Sequence, residues 1–140
     1  MKLNDLFTRC VITAEPSDPL SSIACKMEKH NVGAVVIVEN RRPVGIVTDR
    51  DLALALGARG ISPQAEAQSL MTRHVVAIPE EMSILDATRF MRECGVRRLP
   101  IVDRHDQVSG IATLDDLLRC LGQELANLTE GIEEEMAVAQ

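Results

Sequence analysis

The fold is decided by Gly110-Ile111-Ala112-Thr113-Leu114-Asp115-Asp116-Leu117, because a near copy of it, Gly45-Ile46-Val47-Thr48-Asp49-Arg50-Asp51-Leu52, stands 65 positions earlier. In each copy a glycine leads two apolar β-formers, and a threonine follows where a strand would give way to a helix. An aspartate lies three residues beyond each threonine. The chain is therefore predicted to be a duplicated unit.

The Thr-x-x-Asp pattern has two interpretations. It is a capping box with Asp in the place of Glu, so it can serve helix initiation alone. It also suits a nucleotide, because a helix N-terminus offers unpaired N–H groups and a partial positive charge to a phosphate, and an aspartate can accept from ribose hydroxyls. Two copies at matched positions favour the nucleotide interpretation.

Composition limits the classes of function. Phe7 and Phe90 are the only aromatic residues among 140, so a core of Val, Ile, Leu, Ala and Met is expected, and base stacking on aromatic platforms is not. The net charge is −6, and basic residues are dispersed apart from the doublets at 41–42 and 97–98. The electrostatic footprint of a duplex binder is missing, so no nucleic-acid partner is expected.

The chain contains no apolar run long enough to span a membrane, and its first residues lack the apolar stretch of a signal peptide. A cytoplasmic protein without a membrane partner is expected. Four cysteines lie far apart without a Cys-x-x-Cys pair, which predicts reduced thiols. They are Cys10, Cys25, Cys94 and Cys120.

Each copy is predicted to begin with a strand and an amphipathic helix. The first strands are 11–13 and 75–77, ended by Pro16 and Pro79. Apolar residues at three-and-four spacing then predict a helix in each copy. In the first copy the predicted N-cap is Asp18, with Pro19 at the first helical position, and the left-handed C-cap is Asn31. In the second copy the predicted N-cap is Ser83 and the C-cap is Gly95.

A hairpin follows in each copy. The central strands are predicted at 32–38 and 96–102, the turns at 39–43 and 103–107, and the second hairpin strands at 44–47 and 108–112. Pro100 lies within its strand, which favours an edge position or a gap in the ladder beside a ligand.

The last helices are predicted to begin near Thr48 and Thr113. The first ends at Gly57, and residues 58–69 form the linker between copies. The second continues as a tail helix, interrupted at Gly131, whose glutamate-rich last turns should fray. The predicted domains are therefore 1–68, the first repeat with its linker, 69–122, the second repeat, and 123–140, the acidic tail helix.

The predicted fold class is α/β (α+β), with two β-α-β-β-α repeats. A unit this small cannot bury both faces of its sheet, so the copies should pack sheet against sheet across a pseudo-twofold axis.

The element order, the repeated Gly-h-h-Thr-x-x-Asp motif (h is apolar) and Val96-Arg97-Arg98-Leu99-Pro100-Ile101-Val102-Asp103 resemble a tandem pair of CBS domains, the Bateman module. The resemblance spans about Leu6 to Gly122. It implies a regulatory module without catalysis that binds an adenosyl ligand such as AMP, ADP, ATP, NAD or S-adenosylmethionine. It also implies a disc-shaped homodimer acting on a protein target that the sequence does not identify.

The resemblance also implies the site residues. The threonine reaches phosphate, the aspartate reaches ribose, and the adenine lies near the first strand of the opposite copy. One cleft then takes Thr113 and Asp116 with Val11, Ile12 and Thr13, and the other takes Thr48 and Asp51 with Val75, Val76 and Ala77. Arg97 and Arg98 match a phosphate-binding basic pair, since the arginine fork bonds phosphate oxygens bidentately. The Thr113–Asp116 cleft is therefore expected to be the better phosphate site.

Other classes of function remain open with less support. No histidine stands in metalloprotease spacing, and no Gly-x-Ser-x-Gly is present, so an enzyme is not expected. Cys10 matches His74 and His30 matches Cys94 across the repeat, which is the one hint of a metal, but packing residues explain it equally well, and no metal is predicted. The alternative function is a ligand-free interaction or assembly protein that acts through its dimer surface and tail.

Overall fold

The computed structural model describes residues 3, 11–73 and 75–139 and contains two copies of one α/β unit. The first copy comprises β1 Thr13–Ala14, α1 Leu20–His30, β2 Ala34–Glu39, β3 Arg42–Thr48 and α2 Asp49–Ala53. The second comprises β4 Ile78–Pro79, α3 Ile84–Cys94, β5 Arg98–Val102, β6 Val108–Thr113 and α4 Leu114–Ala139. Each sheet joins a parallel pair to an antiparallel hairpin, in the orders β1-β2-β3 and β4-β5-β6. The predicted fold class and element order are confirmed.

Three of the four predicted helix caps are confirmed. The Ser83 hydroxyl accepts from the Asp86 amide at 3.1 Å, and Asn31 and Gly95 close their helices with φ of 51° and 67°. The prediction for Asp18 is wrong, because Pro19 is the N-cap of α1 and the Asp18 carboxylate accepts from the Glu15 amide instead.

Linker carbonyls satisfy the start of α1 in place of an Asp18 cap. The Leu20 amide donates to the Ala65 carbonyl and the Ser21 amide donates to the Pro63 carbonyl, both at 2.9 Å. These two amides at the start of α1 therefore need no side-chain acceptor. The same bonds hold the linker against the first copy.

The first strands begin later than predicted in both copies. Only Thr13–Ala14 and Ile78–Pro79 pair with the central strands, so the predicted ranges 11–13 and 75–77 lie mostly before them. Pro79 was predicted to follow its strand directly, but it is the last residue within the strand. A proline is tolerated there because β4 is an edge strand.

Pro100 does not mark an edge, because β5 is the central strand of its sheet. Its equivalent in the first copy, Val36, donates its amide to the Ile12 carbonyl at 3.1 Å. Proline has no N–H to make that bond, so pairing of the preceding segment starts one position later in the second copy. Pro100 is fully buried and does not line the cleft described below, so the suggestion that it borders a ligand is not supported.

Each sheet is covered on both faces. Val35 and Ile37 pack into the core of the first copy, whereas Val36 points to the opposite face and is still fully buried. Leu99 and Ile101 pack into the core of the second copy, with buried Pro100 between them. Because side chains alternate across a strand, one face of each sheet meets its own helices and the other face meets the second copy. The copies therefore pack sheet to sheet, as predicted.

The copies exchange the segments that precede their first strands. Leu3 is buried in the core of the second copy, and Ala67 is buried in the core of the first. The Leu3 amide donates to the Met82 carbonyl at 3.0 Å, and the Ala67 amide donates to the Asp18 carbonyl at 2.8 Å. Both bonds obey the same offset of 64 positions, so the exchange follows the pseudo-twofold axis. Leu6, Phe7, Cys10 and His74 lie outside the described residues.

The two last helices differ. After α2 the helix continues as a π-helical turn, Leu54–Ala58, and so ends one residue beyond the predicted Gly57. The second helix continues through Gly122 and Gly131 to Ala139, so the predicted interruption is wrong. Its neighbouring Leu, Glu and Ala residues are strong helix formers, which offsets the cost of a glycine. Across the described ranges, no helix combines the length and apolarity needed to cross a membrane.

Candidate functional site

A cleft of about 490 Å³ lies between the two copies. This volume is within the range of small-molecule sites. Residues from both copies line it: Val11, Ile12, Asn31, Val32, Gly33, Ala34, Arg97, Arg98, Ile111, Thr113, Leu114, Asp115, Asp116 and Arg119.

The N-terminus of α4 forms one wall of this cleft. The Leu114 amide donates to the Arg97 carbonyl at 2.9 Å, which ties the helix start to the residue before β5. The Thr113 hydroxyl oxygen accepts from the Asp116 amide at 3.1 Å. Because a hydroxyl both accepts and donates, the Thr113 proton remains able to bond a ligand oxygen while the oxygen caps the helix. The capping and binding interpretations of Thr113 are therefore compatible.

Three arginines bring positive charge to the cleft, and they come from β5, the residue before it, and α4. Arg97 and Arg119 are exposed and Arg98 is half-buried. Gly33 and Ala34 of the first copy, at the positions equivalent to Arg97 and Arg98, line the same cleft with little or no side chain. The charged side chains that line the cleft therefore all come from the second copy.

The two aspartates of the repeated motif have different partners. Asp51 Oδ2 accepts from the Thr48 amide at 2.9 Å, and its own amide donates to the Thr48 hydroxyl at 3.2 Å, so both halves of the capping box are formed. Asp116 Oδ1 instead lies 3.3 Å from Arg119 Nη1. The Asp116 side chain is 22% exposed and that of Arg119 is 72% exposed. The partner of Asp116 at the cleft is thus an exposed side chain.

The structure brings together six of the seven residues predicted for the first cleft, which are Val11, Ile12, Arg97, Arg98, Thr113 and Asp116. Thr13 lies in β1, and its carbonyl accepts from Lys26 Nζ at 2.8 Å. The five residues predicted for the second cleft are not part of this one. Thr48 and Asp51 are at the start of α2, and Val75, Val76 and Ala77 precede β4.

Sequence reasoning missed eight lining residues. Asn31, Val32 and Gly33 connect α1 to β2, which begins at Ala34. The equivalence of Gly33 and Ala34 to Arg97 and Arg98 was the signal that could have found this segment. Ile111, Leu114 and Asp115 neighbour a predicted residue. Arg119 had a signal too, since it stands one turn after Asp116 on the same helix.

The thiols and histidines carry no metal site within the part of the chain that the structure describes. No group of three His, Cys, Asp or Glu side chains is placed to hold an ion there. Cys25 and Cys94 are exposed free thiols, and Cys120 is a half-buried one. In the matches of Cys10 with His74 and of His30 with Cys94, both Cys10 and His74 lie outside the described residues.

The chain is similar to known proteins over most of its length. The family model described as CBS domain matches residues 3–58 and 67–123. Protein MK0525 of Methanopyrus kandleri is 38% identical over 138 residues, 97% of this chain and 68% of that protein. The CBS domain-containing protein YhcV of Bacillus subtilis is 38% identical over 115 residues, 82% of this chain and 81% of YhcV.

Solved structures show the same fold. The CBS domain pair of protein MJ0100, in complex with 5′-methylthioadenosine and S-adenosyl-L-methionine, superposes with a TM-score of 0.78 at 27% identity. The similarity covers 89% of this chain and 98% of that chain.

Proposed function

Because this chain belongs to the CBS domain family, we propose that it is a regulatory module that binds an adenosyl ligand in the cleft between its two copies. One observation carries the proposal. The cleft joins the helix N-terminus at Thr113 and Asp116 to the arginines of β5 and to apolar residues of the opposite copy. The complex of the MJ0100 pair with two adenosyl compounds supports the same ligand class.

The cleft offers a separate group for each part of such a ligand. Val11, Ile12 and Ile111 present apolar surface to an adenine, and Asp116 can accept from ribose hydroxyls. The Thr113 hydroxyl and the N-terminal end of α4 suit an anion. This division assigns the charged part of the ligand to the second copy and its adenine to apolar residues of both copies.

The charges of the cleft favour a ligand with phosphate. Three arginines stand against the two carboxylates of Asp115 and Asp116, so an anionic tail gains more than the cationic sulfonium of S-adenosylmethionine. Arginine also bonds phosphate oxygens bidentately. We therefore rank AMP, ADP, ATP and NAD above S-adenosylmethionine.

A thermal-shift screen with AMP, ADP, ATP, NAD and S-adenosylmethionine tests the proposal. A ligand present at 100 times its dissociation constant stabilises a folded protein by about 2.7 kcal/mol, which is easily measured. The expected result is a shift with the phosphate-bearing compounds that exceeds the shift with S-adenosylmethionine. No shift with any compound would favour the alternative, an interaction or assembly protein that keeps the fold without the ligand.

A second cleft formed by Thr48 and Asp51 with Val75, Val76 and Ala77 is part of the proposal, as the weaker site. Asp51 already serves its capping box, and the arginine pair has only Gly33 and Ala34 as its equivalent in the first copy. A ligand there would have fewer charged partners.

We also propose that the module forms a homodimer through the helices that flank its hairpins. Leu85 on α3 and Leu54 after α2 are exposed apolar side chains in these regions, and closed twofold pairing is the commonest way to cover such surfaces. Sedimentation of a monomer at micromolar concentration would contradict this. The absence of catalysis, the cytoplasmic location and an unidentified protein target remain predictions.

A further inference from the structure

The part of α4 beyond the second copy has no covering within the described structure. From Gly122 to Val138 every side chain is exposed. A lone helical segment of this length is marginally stable in water, and its two glycines weaken it further. Its formation as an unbroken continuation of α4 therefore calls for a surface that packs against it.

Apolar side chains follow one narrow line along this helix. Leu118, Leu121, Leu125, Leu128, Ile132 and Met136 are spaced 3, 4, 3, 4 and 4 residues apart. At 3.6 residues per turn they lie within an arc of about 80°. All except half-buried Leu121 are between 58% and 66% exposed. We call this line the α4 seam; its spacing is that of a surface that packs against another helix.

Beyond Arg119, the charge around the α4 seam has one sign. Residues 120–139 contain five glutamates and no lysine or arginine, whereas the rest of the chain has 16 acidic and 15 basic residues. Nearly the whole net charge of −6 is thus concentrated on this segment. Glu124, Glu133 and Glu135 flank the seam, and Glu130 and Glu134 lie on the far side of the helix.

We propose that the α4 seam is a docking surface for a basic amphipathic helix of a partner protein. A second copy of the same helix would bring five more glutamates alongside without a compensating cation, and like charges beside a seam oppose pairing. An anionic lipid surface is repelled for the same reason. A helix with an apolar stripe between lysines or arginines can pack its stripe against the α4 seam and pair its cations with the flanking glutamates.

Fluorescence anisotropy with two labelled synthetic peptides, each about three heptads long, tests this on the full chain. Both carry leucine at alternating three-and-four spacing; one has lysine and arginine flanks and the other has glutamate flanks. We expect the basic peptide to bind at least about tenfold more tightly at low salt, with the preference shrinking as salt rises.

Exposed substitutions then locate the peptide. Leu125→Ser with Leu128→Ser should weaken basic-peptide binding at least about tenfold. Replacing Glu124 and Glu133 by Gln should weaken it more than replacing Glu130 and Glu134, the matched pair on the far side. Circular dichroism and adenosyl-ligand binding check that each variant is folded.

Three results would overturn the proposal. They are equal binding of the two peptides, binding that the leucine pair does not alter, and a drop in sedimenting mass of the free protein caused by the leucine pair. The last result would identify a second copy as the occupant of the α4 seam.

Discussion

Asp116 Oδ1 lies 3.3 Å from Arg119 Nη1 on the first turns of α4, whereas Asp51, its equivalent in the first copy, bonds the Thr48 amide instead. The position equivalent to Arg119 in the first copy is Leu54, which cannot form such a pair. The ion pair is therefore a property of the second copy alone. It places an exposed cation beside the carboxylate proposed to bind ribose.

Arg119→Gln should change the ligand preference of the cleft. With one cation fewer, ATP affinity should fall about two- to fivefold, the scale of an exposed ion pair. Affinity for 5′-methylthioadenosine, which has no phosphate, should stay level or rise, because Asp116 is freed. Calorimetric titration measures both. Arg89→Gln is the matched control, since Arg89 forms an exposed pair with Asp86 on α3 away from the cleft; equal effects of the two variants would contradict the assignment.

Gly45→Ala should destabilise the first copy. A Cβ at Gly45 would lie 2.5 Å from Met71 Sδ and 2.9 Å from Met71 Cβ, so the methionine must shift as a whole. Overpacking of this kind costs about 1–3 kcal/mol of unfolding free energy. Urea denaturation should show that loss, and Met71→Ala added to it should recover part. Gly57→Ala is the control, because nothing lies within 4 Å of its added methyl; a similar loss there would rule out the clash as the cause.

Leu3→Ala tests whether the segment that precedes β1 stabilises the second copy. Leu3 is fully buried against the second copy's core, so its truncation should lower the unfolding free energy by about 2–5 kcal/mol. Leu128→Ala, at an exposed leucine of α4 beyond the second copy, should cost less than about 0.5 kcal/mol. Indistinguishable urea midpoints for the two variants would show that the segment containing Leu3 does not stabilise the second copy.

The repeat made much of this fold predictable. Matching 45–52 with 110–117 placed the last helix of each copy, and the three-and-four spacing placed α1 and α3. Matched positions correctly put Asn31 and Gly95 at helix ends, and Ser83 was correctly predicted as an N-cap from its place before the apolar spacing.

The errors arise where distant segments supply the bonds. Asp18 was predicted as a cap because the sequence does not show that the carbonyls of Ala65 and Pro63 reach α1. Pro100 was predicted at an edge or at a gap in the ladder beside a ligand, because the sequence does not show that the pairing of β4 with β5 begins one residue later, at Ile101. Arg119 was overlooked because its position in the cleft depends on packing between the copies.

Asp103 should titrate below its ordinary range. Its Oδ1 accepts from the His105 amide at 2.8 Å and the Gln107 amide at 3.1 Å. The Gln107 bond, followed by the His105 bond, lowers the pKa of Asp103 from its usual 3.8. The lowered pKa means that the turn gains stability above the unfolded pKa, and this gain is lost as pH falls through the folded pKa. Carbon-13 NMR titration should give a midpoint below 3.8; a midpoint at or above that value would refute the role of these bonds.

The central claim is that the Thr113–Asp116 cleft is the principal adenosyl site, and Asp116→Ala compared with Asp51→Ala tests it most directly. Calorimetric titration with AMP and ATP should show that Asp116→Ala loses about 1.5–3 kcal/mol of binding free energy, the range for hydrogen bonds to charged groups. Asp51→Ala should lose less binding but about 1 kcal/mol of unfolding free energy, because it removes half of a capping box. Unchanged affinity in Asp116→Ala, or a larger loss from Asp51→Ala, would contradict the claim.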